Sequence, residues 1–308
     1  MTSDTLAPVA LSNHGPHLSP IVAGAWRMGE WGMNVEQRVR WIEQCLDLGI
    51  TSFDHADIYG GYTVETLFGE ALAAQPSLRS RMQLVTKCGI KLVSERRPGH
   101  AIKSYDTSRA HVLASVDESL RAMHTDHIDL LLIHRPDPLM DHHALGACLD
   151  SLIQSGKVRA AGVSNFMPWD VDLLQSRMKH KLQTNQLELS LLNTAPFING
   201  QLAHAQQHGM PVMAWSPLGG GRLHAQASTP GTAAARLAPK LAALAQAAGT
   251  DTTAVAMAWL MHHPVQVLPV MGSNQLERIA VFADAARVPM DRQTWYELYE
   301  LANGHEVP

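Results

Sequence analysis

Three short apolar runs in the first half of this chain each end on a different ionisable residue. Ile50-Thr51-Ser52-Phe53 leads into Asp54, Met82 to Thr86 leads into Lys87, and Ile128 to Ile133 leads into His134. A phenol, Tyr59, lies in the turn after the first of these runs. If the runs are neighbouring parallel strands, an acid, an amine, an imidazole and a phenol gather at one rim of a sheet. That set can move a proton at a carbonyl oxygen. A free phenol has a pKa of about 10, too high for an efficient acid or base at neutral pH, and a nearby ammonium lowers it. Lys87 is the candidate ammonium and Asp54 its counter-ion. His134 is placed to donate a hydrogen bond to a carbonyl oxygen, and Tyr59 to give that oxygen its proton. No side chain supplies hydride, so this chemistry requires a bound nicotinamide.

Each residue also has a plainer reading. An Asp after a strand often caps a helix, a Lys or His there is often solvated, and a Tyr after a turn often packs. The weight comes from three consecutive strands delivering one such residue at the same end.

The elements that would position them recur along the chain. Strand-like runs occur at Ile21–Trp26, Thr51–Asp54, Gln83–Lys87, Ile128–His134, Arg159–Ser164, Gln183–Glu188, Val212–Ser216 and Gln266–Met271. Most are continuously apolar, as strands covered on both faces are. Helical periodicity fills the gaps. Val35, Val39, Ile42 and Leu46 mark one helix face, with Asn34 placed to cap its start and Gly49 to end it. Val112, Val116, Leu120 and Met123 mark another, and two helices are expected before the last strand, around Leu241–Ala248 and Val255–Leu260. Eight β–α alternations without a linker predict a single-domain (β/α)8 TIM barrel over residues 1–308. The G-x-G-x-x-G of a doubly wound sheet does not follow the first strand. Val9-Ala10-Leu11, Asn13-His14-Gly15 and Leu18 suggest a short N-terminal β-hairpin closing the barrel floor. The long segments 89–106 and 219–233 both follow strands, on the side where such barrels do chemistry.

Bulk properties narrow the class. Of 308 residues, 17% are charged and the formal net charge is −4, which predicts neither nucleic-acid nor membrane attraction. No apolar stretch approaches the roughly 18 residues of a membrane span. Met1-Thr2-Ser3-Asp4-Thr5 lacks the pattern of a signal peptide. Cys45, Cys88 and Cys148 are odd in number and widely spaced, so no disulfide framework is expected, and a cytoplasmic setting is.

Four segments, taken in order, resemble the aldo-keto reductase signature series. They are Phe53-Asp54-His55-Ala56-Asp57-Ile58-Tyr59-Gly60, Val85-Thr86-Lys87, Leu130-Leu131-Leu132-Ile133-His134 and Gly162-Val163-Ser164-Asn165-Phe166. Asp57-Ile58-Tyr59-Gly60-Gly61-Tyr62, His134-Arg135-Pro136-Asp137-Pro138 and Gly219-Gly220-Gly221-Arg222 resemble the bacterial YdhF-like branch. The likeness covers essentially the whole chain. It implies a (β/α)8 barrel reducing aldehydes and ketones with NADPH, without metal, and a catalytic tetrad at Asp54, Tyr59, Lys87 and His134. It also implies that Ser164, Asn165 and Gln186 bind the nicotinamide carboxamide, and that Trp215 stacks on the ring. Strand-end capping and core packing are the plainer readings for these. Ser216, Pro217, Leu218, Gly219, Gly220 and Arg222 are expected at the pyrophosphate, although three glycines could also form a hinge. Trp26, Met271, Gly272, Ser273 and Asn274 are further expected cofactor contacts. Asn274 followed by Glu277 has capping-box spacing at a helix start, where the adenosine 2′-phosphate can sit against Arg278. Some members carry a Lys where this chain has Gly272, which leaves the strength of NADP over NAD preference open. Trp26, Trp31 and Tyr62 are candidates to line the substrate pocket.

Two rival functions stand beside this one. A nicotinamide-binding regulatory or partner subunit shares the barrel, as potassium-channel β-subunits do. A metal-dependent hydrolase is the other, but the adjacent pairs His142-His143 and His262-His263 point about 100° apart on a helix, and no catalytic metal is expected. Substrate identity and oligomeric state are not legible here.

Overall fold

The computed structural model describes residues 7–12 and 15–308. Eight parallel strands close a barrel: β1 Val22–Gly24, β2 Ser52–Asp54, β3 Gln83–Cys88, β4 Leu130–Ile133, β5 Ala161–Ser164, β6 Asn185–Glu188, β7 Val212–Trp215 and β8 Val267–Met271. β8 pairs with β1 to complete the ring. Between and after them run α1 Val35–Asp47, α2 Val64–Ala74, α3 Arg109–Ala122, α4 His142–Gln154, α5 Pro168–Gln175, α6 Gln201–Gln207, α7 Ala233–Ala248, α8 Thr252–Met261, α9 Leu276–Asp284 and α10 Arg292–Asn303. The expected eight strands are all present, most of them trimmed at one or both ends.

Strand alternation decides which side chains reach the barrel interior. Leu130 and Leu132 join Val22, Val85, Met213 and Leu268 in an inner cluster, while Leu131 and Ile133 belong to the outer core packed against the helices. Residues two apart share a face. Val85 is inward, so Lys87 is too, and the next inward position after Leu132 is His134. Asp54 is likewise inward, because it bonds to Gln186 of β6, which is not a neighbouring strand but lies across the lumen.

The N-terminal hairpin forms as expected. Val9–Ala10 pairs antiparallel with His17–Leu18, and Leu11 and Leu18 are buried within the inner cluster, closing the floor. Its turn residues Asn13 and His14 lie outside the described residues.

Local signals set the helix ends. Asn34 and Gln37 form a reciprocal capping box, both bonds at 2.9 Å, and Gly49 leaves α1 with φ 78°. The α1 face is rotated from expectation. Its buried residues are Arg38, Trp41, Ile42, Cys45 and Leu46, and Val35 and Val39 are only half-buried. Arg38 enters this face because its guanidinium meets Glu70 of α2 at 2.6 Å. The segment 89–106 carries its own antiparallel pair, Ile90–Lys91 with Ser104–Tyr105. The segment 219–233 holds a tight turn at Gly219–Gly221 and one helical turn at Arg222–Ala225. Among the described residues no helix is long and apolar enough to cross a membrane.

Candidate active site

Lys87 is the hub of the rim. Its side chain is 1% exposed, and its Nζ donates to Asp54 Oδ1 at 2.8 Å, Asp54 Oδ2 at 2.7 Å, the His55 carbonyl at 2.7 Å and the Tyr59 oxygen at 3.0 Å. Three ammonium protons thus find a carboxylate, a carbonyl and a phenol, so the charge is fully solvated by protein. Burial works against that charge, but Asp54 and Tyr59 outweigh it and hold the amine above the ordinary lysine value. Backbone bonds keep the arrangement in place: His55 N donates to Val85 O at 2.8 Å and Asp57 N to Lys87 O at 3.0 Å.

Tyr59 differs from expectation in one respect. Lys87 does pull its pKa down, but crowding by protein pushes it up harder, and the net value lies above the ordinary phenol. The phenol of the free protein therefore holds its proton across the neutral range. His134 lies edge-on to Tyr59, with ring centroids 6.1 Å apart. Burial, and then the charges of Lys87, Arg135 and Lys103, hold its imidazole well below the usual value. A neutral ring has one N–H to offer. Nδ1 is buried without a partner, and the residue lines the cleft.

A second buried polar group backs the first. Glu65 of α2 accepts from Thr86 Oγ1 at 2.5 Å and Ser119 Oγ at 2.9 Å, and burial raises its pKa to about 7. Burial, followed by the charge of Lys87, lowers His55 to about 3, and its ring packs edge-on to Phe68 at 4.4 Å.

The tetrad opens onto a cleft of about 1120 Å³ that runs across the strand ends toward β8. Tyr59, His134, Trp26, Ser164, Asn165, Gln186, Trp215, Ser216, Pro217, Leu218, Gly220, Met271, Gly272, Ser273 and Arg278 all line it. Asn165 has φ 61°, and this left-handed turn aims its amide: Nδ2 donates to Ser164 Oγ at 2.8 Å, and Oδ1 accepts from Trp215 Nε1 at 3.0 Å. The Trp215 ring is thereby fixed from β5. Gln186 donates to Asp54 Oδ1 at 2.8 Å, which ties the amide site to the tetrad. Gly219, Gly220 and Gly221 all have positive φ, of 60°, 67° and 91°, so the turn beyond β7 needs glycine at each.

Five expected contacts fall elsewhere. Gly219 faces Leu192, which a Cβ would meet at 2.8 Å. Arg222 is exposed and turns back, donating to Gly219 O at 2.8 Å. Asn274 neither caps α9 nor lines the cleft. The cap position is Gln275, whose N–H donates to Ser273 Oγ at 3.2 Å, because the chain turns one residue later than the capping-box spacing implies. Trp31 packs on Trp41 at 5.2 Å, and the Tyr62 oxygen accepts from Leu92 N at 2.8 Å; neither is among the residues lining this cleft. Sequence reading missed several lining residues: Arg27, Lys103, Arg135, His224, Asp251, Thr253 and Glu277. Adjacency to Trp26 and His134 could have flagged Arg27 and Arg135. Lys103, in a long loop, carried no local signal.

The cleft suits a nicotinamide dinucleotide. Amide-matching groups and a fixed indole lie beside the tetrad, low-bulk backbone follows, and a guanidinium lies at the start of α9.

Comparisons with known proteins place the chain in a family. The aldo/keto reductase family profile matches residues 20–303. The chain is 54% identical to 6-dehydroglucose reductase of Agrobacterium fabrum over 94% of this chain and 96% of that protein. It is 43% identical to the oxidoreductase YdhF of Escherichia coli over 97% of this chain and 99% of that one. Its fold matches the crystal structure of a thermostable aldo-keto reductase in complex with the inhibitor epalrestat. The TM-score is 0.80 at 22% identity, covering 96% of this chain and all of that one.

Proposed function

The chain belongs to the aldo/keto reductase family and is an oxidoreductase, and from that premise we propose that it reduces aldehydes and ketones to alcohols with NADPH, favouring a polyhydroxylated aldehyde. The observation that carries this reading is the single ammonium, Lys87, joining the Asp54 carboxylate to the Tyr59 oxygen beside a cleft.

When bound, a reduced nicotinamide supplies hydride to the carbonyl carbon. Ser164, Asn165 and Gln186 would hold its carboxamide, and Trp215 would lie beside the ring. Ser216 to Leu218 and Gly220 would present backbone to the pyrophosphate, and Ser273 and Arg278 would meet the 2′-phosphate. His134, kept neutral, donates its N–H to the substrate oxygen and fixes its direction. Tyr59 passes its proton to that oxygen as negative charge develops there. The phenolate left behind faces Lys87 at 3.0 Å, so the ammonium stabilises the product of the proton transfer. Asp54 keeps Lys87 in place throughout. The same groups run the reverse reaction with alcohol and oxidised cofactor.

The substrate preference rests on the 54% identical relative named for 6-dehydroglucose and on the donors Arg27, Lys103 and Arg135 in the cleft lining, which suit substrate hydroxyls. The three cysteines are buried free thiols, which fits a reducing cytoplasm. The test is consumption of NADPH and of NADH against a panel of sugar-derived and apolar aldehydes. Sugar-derived aldehydes should give the higher kcat/KM, and NADPH the lower KM. Negligible turnover across the panel by protein that still binds nucleotide would favour the partner-subunit reading instead.

A further inference from the structure

A second cluster of chemistry-bearing side chains lies on the outer wall, on the helices rather than at the strand ends. His204 lies in α6, and His208 directly follows that helix, four residues on. Residues four apart on a helix share a face. Their rings lie 4.4 Å apart, tilted by 48°. Asp172, on α5, directs one carboxylate oxygen at both: Oδ1 is 2.7 Å from His204 Nε2 and 3.5 Å from His208 Nε2. The three atoms lie within 4.8 Å of one another. His204 is 10% exposed, so its ring is held by packing. Lys181 Nζ donates to the His208 carbonyl at 2.5 Å and secures the end of α6.

We propose that Asp172, His204 and His208 form a divalent-metal site for a late first-row cation, with zinc as the natural occupant. Two imidazoles and one carboxylate match the ligand preference of zinc, whereas magnesium and calcium prefer all-oxygen sites. The spacing matches as well. A tetrahedral ion with bonds of about 2.1 Å puts its ligand atoms roughly 3.4 Å apart. The His208–Asp172 distance of 3.5 Å is close to that value, and the His204–Asp172 pair, now at 2.7 Å, must open to admit an ion. A bound ion replaces two competing contacts to one oxygen with a bond to each of three atoms, and water completes the fourth position. It clamps α5 to α6, the helices that follow β5 and β6. Those strands carry Ser164 and Gln186 at the cleft, so the site braces the cofactor half without touching the reacting atoms.

The experiment is calorimetric titration of the tag-free, chelator-treated full chain with ZnCl2, and with MgCl2 as the comparison. The site predicts one zinc per chain at micromolar concentration, no binding of magnesium, and a melting temperature that rises with added zinc. His208→Ala and Asp172→Asn should each weaken zinc at least about tenfold, while their metal-free melting curves and carbonyl reduction stay near those of the unsubstituted protein. Absence of zinc binding below about 100 μM, or wild-type binding in either variant, overturns the site and leaves a simple His–Asp hydrogen-bonded pair.

Discussion

The two halves of the cleft are built on opposite plans. On the β2–β3 side, Asp54 and Lys87 are nearly fully buried and bonded to each other, to the His55 carbonyl and to Tyr59. On the β7–β8 side, Glu277, Arg278, His224, Gly220 and Gly272 are exposed and the backbone runs through glycine. In the first half, low dielectric and dense bonding hold charges where a reaction needs them, before any ligand arrives. On the proposed function the second half admits and releases a large charged ligand, which fits polar groups that stand in water. If the proposed function holds, rigidity lies where charge develops and open space where the cofactor binds.

Tyr59→Phe tests the independence of the halves with the largest effect. It should lower single-turnover carbonyl reduction by about 10²- to 10⁴-fold and leave NADPH affinity within about twofold. A variant retaining rates within about tenfold of the unsubstituted protein would remove Tyr59 from the proton-donor role. Parallel loss of affinity would instead show the halves to be coupled through Gln186, which bonds Asp54.

Arg278→Ala probes the open half alone. The KM for NADPH should rise about tenfold to a hundredfold, with NADH changed little and kcat for either cofactor preserved. Equal losses for both cofactors would place the 2′-phosphate elsewhere.

Glu65→Gln probes the packing behind the closed half, with the smallest effect. Burial raises Glu65 from an ordinary 4.5 to about 7, so between those values the folded state binds more protons than the unfolded one. Stability from this group is fully present below pH 4.5 and is lost as pH rises through about 7. Chemical denaturation of the variant from pH 5 to 8 should show a flatter profile than the parent. An unchanged slope would assign the dependence to another group, such as buried Asp57, which burial and Glu65 also push up.

How far each half could be read in advance follows the same division. The strands, the convergence of Asp54, Lys87, Tyr59 and His134 and the hairpin floor were legible, because apolar runs and the residues that follow them act over a short stretch of chain. The α1 face was misjudged because Arg38 reads as polar until Glu70 is seen beside it. Asn274 was misjudged because capping-box spacing cannot register a turn that shifts by one residue. Arg222 reads as a phosphate ligand, and only the left-handed glycine turn shows it folding back onto Gly219. Lys87 was expected to lower Tyr59, but that expectation omitted the desolvation produced by the walls of the cleft.

By itself the sequence determined the alternation of strand and helix, and hence that Asp54, Lys87 and His134 lie at or just beyond the same ends of three successive strands, because apolar runs and the residues that follow them are local features. Only the tertiary structure decided what meets across distance: Gln186 reaching Asp54 through the lumen, Trp215 tied to Asn165, and Asp172 facing His204 and His208 between two helices. Those contacts depend on barrel closure and helix packing, which sum many weak interactions over the whole chain and leave no mark at any one position.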